Sequence, residues 1–254
     1  MRAPRKVSEV RLRFSTVIFE LDSSLFVSGA EEVKKLALEQ TAELISREGF
    51  DKLALLSAMY KAERCLDQCD GSKTCEDALW ELEASEVGGR LHLERINAAS
   101  YWSGDFKELL GLLEPLAYAP GILRGLRKYG RKVVISSDPM FPEAAVTAKL
   151  GRLGVDSDAA DLTVHSGNSR FGRGREEYYL GICEKLGVSP QECIIIGGGS
   201  IIPAAGAGMQ AVLVSRASAA FAGEQDAQLY VLNEEYPPQE RLFRMFVSQL
   251  KGEL

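Results

Sequence analysis

Two acidic side chains close an apolar run in Val17-Ile18-Phe19-Glu20-Leu21-Asp22-Ser23-Ser24-Leu25. The run reads as a buried β-strand. Strand side chains alternate between faces, so Glu20 and Asp22 are expected as neighbours on the strand end and its loop. Ligands of open α/β sheets bind at the carboxyl ends of strands, where paired carboxylates offer metal-assisted or acid/base chemistry. Three further groups follow other apolar runs. Ser137 and Asp138 come after Val133-Val134-Ile135-Ser136, where either side chain would serve as a helix cap. Arg170, Arg173 and Arg175 share a Gly-rich loop, in which a guanidinium fork clamps an anion or is simply solvated. Gly197-Gly198-Gly199 ends the run Cys193-Ile194-Ile195-Ile196.

These residues must be positioned by elements of two kinds. From Gly29 to about Pro115 the periodicity is helical: Ala30–Glu48, Asp51–Cys69, Thr74–Ala84, Leu91–Ala99 and Phe106–Leu113. Glycines and Asp70-Gly71 punctuate these helices. From Pro120 strands alternate with helices. Helices are expected at Gly121–Tyr129, Pro142–Leu153, Arg175–Leu186 and Pro238–Leu250. Strands are expected at Lys132–Ser136, Leu162–His165, Cys193–Ile196 and Ala211–Ser215, with an edge strand at Leu229–Leu232. That alternation predicts an α/β fold with a mostly parallel central sheet that includes the first strand. The domain reading is an α/β core of residues 14–28 and 115–254 interrupted by an all-helical cap, residues 29–114. No internal repeat or low-complexity tract interrupts it.

In order along the chain, the four stations Glu20-Leu21-Asp22, Ser137-Asp138, Arg173 and Gly197-Gly198-Gly199-Ser200 resemble the motifs of the haloacid dehalogenase-like (HAD) hydrolases. Arg173 is placed by its distance from Leu186-Gly187-Val188, and the fourth station continues into Ala205-Gly206-Ala207-Gly208-Met209. The resemblance implies a HAD-like Rossmannoid core with a helical cap and phosphatase-type ancestry. It implies Glu20 and Asp22 as catalytic residues and as Mg²⁺ ligands. It also makes Ser137 and Arg173 the phosphate-binding pair. Two departures bear on activity. The family's nucleophilic Asp is here Glu20, whose extra methylene displaces the carboxylate, and a shift of about 1 Å can cost roughly 100-fold in rate. The family's metal-binding Asp is here Gly198, and Gly199 to Ala207 contains no acid. Mg²⁺ needs hard oxygen ligands, and phosphoryl transfer relies on that ion for charge neutralisation.

The reading is therefore a HAD-like protein with impaired or lost Mg²⁺-dependent phosphoryl transfer, binding a small phosphorylated molecule or a protein partner. The alternative is an active hydrolase of small phosphorylated metabolites, with Glu20 as nucleophile or base. A third reading is dinucleotide binding at Gly197-Gly198-Gly199 with Arg216 on a 2′-phosphate. Its third fingerprint glycine is Ile202, followed by Pro203.

The net charge of −6 excludes nucleic acid and anionic membrane as expected partners. No apolar run reaches the roughly 20 residues that span a bilayer. The basic N-terminus (Arg2, Arg5, Lys6) lacks a secretory h-region, so a cytoplasmic location is expected. Five cysteines, an odd number, argue against a disulfide framework. Cys65, Cys69 and Cys75 cluster in sequence but read as free thiols, and Cys183 and Cys193 as core. His92 and His165 belong to no station. Tyr101-Trp102 and Tyr178-Tyr179 read as packing, with Trp102 able to line a cleft.

Overall fold

The computed structural model describes residues 14–214 and 229–232. Its sheet has six parallel strands in the order β5-β4-β1-β6-β7-β8. These are β1 (Thr16–Glu20), β4 (Lys132–Ser136), β5 (Leu162–Val164), β6 (Cys193–Gly197), β7 (Gln210–Val214) and β8 (Leu229–Leu232). The two short strands β2 (Phe26–Ser28) and β3 (Glu114–Pro115) form a separate antiparallel ribbon. Parallel strands covered on both faces carry near-continuous apolar sequence, and every residue of β1 and β6 is buried. Alternation splits the strand between two cores. Val17 and Phe19 join the core on one face, and Ile18 joins Tyr179, Ile182 and Ile195 on the other.

Register brings the four stations to one edge. Glu20 lies opposite Ser136 of β4, so Ser137 begins the loop beside it. Phe19 lies opposite Ile196 of β6, which puts Gly197 level with Glu20. The carboxyl ends of three central strands thus converge.

After β1 the chain turns at once into α1 (Leu21–Ser24), one helical turn tied back by the Ser24 hydroxyl to the Glu20 carbonyl at 2.6 Å. The ribbon β2–β3 brackets the helices α2 (Ala30–Ser46), α3 (Lys52–Cys65), α4 (Cys75–Val87) and α5 (Arg95–Ser103). Asp51 caps α3 by accepting from the Ala54 N–H at 2.7 Å, and Thr74 caps α4 through the Asp77 N–H at 3.1 Å. The remaining helices are α6 (Ala119–Lys128), α7 (Glu143–Arg152), α8 (Glu176–Leu186) and α9 (Ile202–Gly206).

Three local expectations change. The α-helix read at Leu91–Ala99 begins only at Arg95 and runs to Ser103, preceded by a 3₁₀ segment, Gly89–Glu94. The helix read at Phe106–Leu113 is a 3₁₀ segment, Asp105–Leu112, which buries Phe106 and Leu109 at the three-residue spacing that suits this tighter coil. The helix from Asp51 stops at Cys65, with a 3₁₀ turn Leu66–Gln68 beyond it. The β2–β3 ribbon has no counterpart in the sequence reading, because strands of two or three residues are too short to show a two-residue period. The basic N-terminus, Arg216 and the helix read at Pro238–Leu250 lie outside the described residues.

Candidate functional site

Glu20 is buried at the end of β1, and both its carboxylate oxygens are engaged. Oε1 accepts from the Arg173 guanidinium. Oε2 accepts from the Ser23 hydroxyl and, at 2.9 Å, from the Gly198 N–H. The Gly198 N–H also reaches the Ser23 oxygen at 2.7 Å. Gly197 must be glycine here, since a Cβ would stand 2.6 Å from the Glu20 Cβ. Gly198 is less constrained: a Cβ there would meet the Ser23 Cβ at 3.3 Å, a tight contact that a small shift of Ser23 relieves, and Glu20 Oε2 at 3.7 Å.

Arg173 then reaches across the centre to a second carboxylate. Its Nη2 donates to Asp138 Oδ2 at 2.8 Å, and Nη1 lies 3.5 Å from the Ser200 hydroxyl. Burial opposes the Arg173 charge, but Asp138 and Glu20 outweigh it and hold the guanidinium more firmly protonated than an ordinary arginine. Burial would raise the Asp138 carboxyl. Arg173 and Lys34 reverse that and hold it at about 2. Lys34, one turn into α2, donates to Asp138 Oδ2 at 3.1 Å and to Glu63 of α3. A chain of alternating charge, Glu20–Arg173–Asp138–Lys34–Glu63, therefore runs from the sheet into the helical insert.

The Arg173 loop is stitched to the insert by backbone as well. Gly174 N–H donates to Asp67 Oδ1 at 2.9 Å, and Gly172 N–H to the Leu66 carbonyl at 3.3 Å. A side chain at Gly172 would collide with the Asp67 backbone. Cys75 N–H donates to the Ser169 carbonyl at 2.7 Å, and Arg175 Nη1 to the Cys69 carbonyl at 2.8 Å. A cleft of about 420 Å³ opens above Arg173, bordered by Asp67, Asp138 and Ser200.

Asp22 makes its hydrogen bonds apart from Glu20, although its charge still supports that of Arg173. The chain is helical from Leu21, and two residues along a helix turn a side chain by about 200° instead of returning it to the same face. Asp22 instead accepts from Lys149 of α7 at 2.9 and 3.0 Å. The Lys149 ammonium is fully buried and stacks 3.5 Å from the Phe141 ring centroid. Ser137 sits at the β4 end with its hydroxyl buried and without a hydrogen-bond partner among the described residues.

The donor set does not fit Mg²⁺. That ion wants several oxygens in octahedral array, usually with one or two free carboxylates. Glu20 and Asp138 already bind a guanidinium between them, Asp22 is held by an ammonium, and Gly198 brings no side-chain carboxylate. Among the described residues no three His, Cys, Asp or Glu side chains gather as a metal site, the Cys65, Cys69 and Cys75 group included.

Of these residues, Lys34, Glu63, Asp67 and Lys149 were not singled out by sequence. Lys149 left a signal. It occupies the buried face of α7 with Ala145, Val146 and Leu150, where a lysine must have a partner. Lys34 and Glu63 are half-buried beside apolar neighbours (Ala37 and Leu38; Met59 and Leu66), but the pairing of one with the other is set by how α2 packs on α3, which the sequence does not show.

The fold has clear relatives. A β-phosphoglucomutase from Clostridium difficile superposes with a TM-score of 0.54 at 20% identity, covering 94% of this chain and 98% of that one. A HAD phosphatase from Thermococcus onnurineus does so with a TM-score of 0.54 at 20% identity, over 91% and 96% of the two chains. A dehalogenase with a bound intermediate gives 0.54 at 14% identity, over 93% and 98%. No family sequence model matches the chain, and no curated protein matches it in sequence. No helix among the described residues is long and apolar enough to cross a membrane.

Proposed function

We propose that this chain, which has the haloacid dehalogenase-like fold, is a non-hydrolytic binding protein whose former reaction centre is a neutralised lock between sheet and insert. The observation that carries the reading is the double engagement of Arg173 by Glu20 and Asp138. An attacking carboxylate needs a free oxygen and a cation that neutralises the incoming phosphate. Here both Glu20 oxygens accept hydrogen bonds, and the available cation is already spent on two carboxylates. The charge chain holds three carboxylates (Glu20, Asp138, Glu63) and two cations (Arg173, Lys34), a net of minus one, so a phosphate dianion is repelled as long as both carboxylates stay on Arg173, and it binds only by displacing one of them.

Phosphorylated small molecules are the ligand class to test first, because a phosphatase and a phosphoglucomutase, so named, share the fold. Such an anion binds at Arg173 by taking the place of Asp138, with the unpartnered Ser137 hydroxyl as a further donor. Binding therefore loosens the tie to Lys34. Calorimetric titration with inorganic phosphate and small phosphorylated compounds tests this, and no saturable binding would leave a protein partner as the occupant to seek.

One observation favours a second reading, an active hydrolase with Glu20 as nucleophile or base. The buried Ser137 hydroxyl is a donor left waiting beside the centre. Hydrolysis of p-nitrophenyl phosphate with and without Mg²⁺ decides between the two. We expect no metal-dependent turnover. Turnover that needs Mg²⁺ and disappears in Glu20→Ala would overturn the proposal. The double change Glu20→Asp with Gly198→Asp shortens the first acid and returns the second, and is expected to create Mg²⁺-dependent hydrolysis.

A further inference from the structure

Both tryptophans of the chain line a single cavity. It measures about 150 Å³ and lies among α2, α3, α4, α5 and the loop from Met140 to Ala144. Trp80 and Trp102 form its aromatic wall, and Leu38, Met59 and Leu79 make the rest largely apolar. Glu20, Ser137 and Arg173 take no part in it, and Glu63 alone borders both this space and the Arg173 cleft.

The charged groups around the cavity are Glu63, Glu76, Glu83 and Arg95. Three are engaged. Glu63 holds Lys34, while Arg95 donates to Asp77 at 3.0 Å and stands 3.5 Å from Glu76. Glu83, on the α4 wall, has no hydrogen bond or ion pair among the described residues. Glu83 is half-buried at the cavity wall, and a carboxylate partly withdrawn from water without a partner favours a cation that would pair with it.

We propose that this cavity binds a small organic cation, a primary ammonium on a body of about one aromatic ring, with Glu83 as counter-ion. An apolar cavity of this volume accommodates a benzene-sized group. The Trp80 ring already draws the Arg95 guanidinium to 5.9 Å from its centroid, which shows that this wall attracts cations, and the half-buried Glu83 carboxylate supplies the charge-assisted hydrogen bond that fixes the orientation of an ammonium. Burial pushes the empty Glu83 carboxyl up to about 8, so near neutrality it carries a proton. The incoming ammonium expels that proton to solvent, and the pair left behind is neutral overall. Affinity therefore rises as pH climbs from 6 towards 8, while Glu63, Glu76 and Arg95 stay in their existing pairs.

The two tryptophans make the test direct, since all indole emission of the chain reports on this one cavity. Benzylammonium chloride titrated into the full chain is expected to change that emission saturably. Benzyl alcohol, its neutral isostere, should bind about tenfold or more weakly, since a charge-assisted bond is lost. Glu83→Gln should cost benzylammonium a similar factor while leaving the melting temperature unchanged or raised, because it removes an unpaired acid. Equal binding of alcohol and ammonium, no saturable response, or undiminished binding by Glu83→Gln would each overturn the proposal. Should Glu83→Gln fail to fold, the comparison of the two probes on the native chain still decides.

Discussion

Arg173 is the residue on which the centre turns, because two buried carboxylates depend on one guanidinium. Removing one partner of a buried pair leaves an uncompensated charge, at a cost of about 3–5 kcal/mol. Arg173→Met should therefore lower the unfolding free energy from urea titration by that amount, and an effect below about 1 kcal/mol would show that the network is not structural. Asp22 and Lys149 invite a sharper test. Asp22→Asn strands a buried ammonium and should be strongly destabilising, while adding Lys149→Met should recover most of the loss. A double variant no better than the single would sink this account. Asp138 gives the pH dependence. Its folded carboxyl, held at about 2, lies below the roughly 3.9 of an unfolded aspartate, so the unfolded chain binds more protons between these values. Its contribution of about 2 kcal/mol is full above about pH 4 and is lost as pH falls through about 2. Acid titration of stability, compared with Asp138→Asn, should show that step missing in the variant.

At the scale of elements, the insert is fastened at two kinds of joint. One is ionic, from Lys34 of α2 to Asp138. The other is backbone, from the turn after α3 to the Arg173 loop. Lys34→Ala breaks only the first, so amide exchange in α2 and α3 should quicken while the β1 and β6 amides stay protected. Uniform quickening through the sheet would mean that Lys34 supports the whole fold rather than the joint. The ribbon has its own sensitive point at Gly29, which has φ 91° and presses against the Leu112 carbonyl. Any Cβ there is strained twice, by conformation and by contact. Gly29→Ala should cost more than the about 1 kcal/mol typical of a left-handed position, measured by thermal unfolding. Both were hard to foresee, since a two-residue strand carries no periodic signal and an ion pair between helices depends on how they pack.

The whole molecule shares one large core between the insert and one face of the sheet. Leu38, Trp102 and Phe106 of the insert belong with Phe19, Phe141 and Ile196 in a single cluster. A core that crosses the joint couples the two parts, since neither can lose its apolar contacts alone. Calorimetry should then show one unfolding transition with equal calorimetric and van't Hoff enthalpies, and two resolved transitions would refute the coupling.

The sequence by itself determined the strands of the central sheet, their parallel arrangement and the edge at which Glu20, Ser137, Arg173 and Gly198 meet. Apolar runs of five residues and their alternation with helices are local properties, readable one segment at a time. It also carried the two chemical departures, Glu20 and Gly198. Tertiary structure decided what those departures became. Only the packed fold turns Asp22 away to Lys149, places one guanidinium between Glu20 and Asp138, and draws Lys34 and Glu63 into the same chain of charge. Ion pairing depends on distance in space and on exclusion of water. Neither can be read from separations along the chain as long as the 153 residues between Glu20 and Arg173.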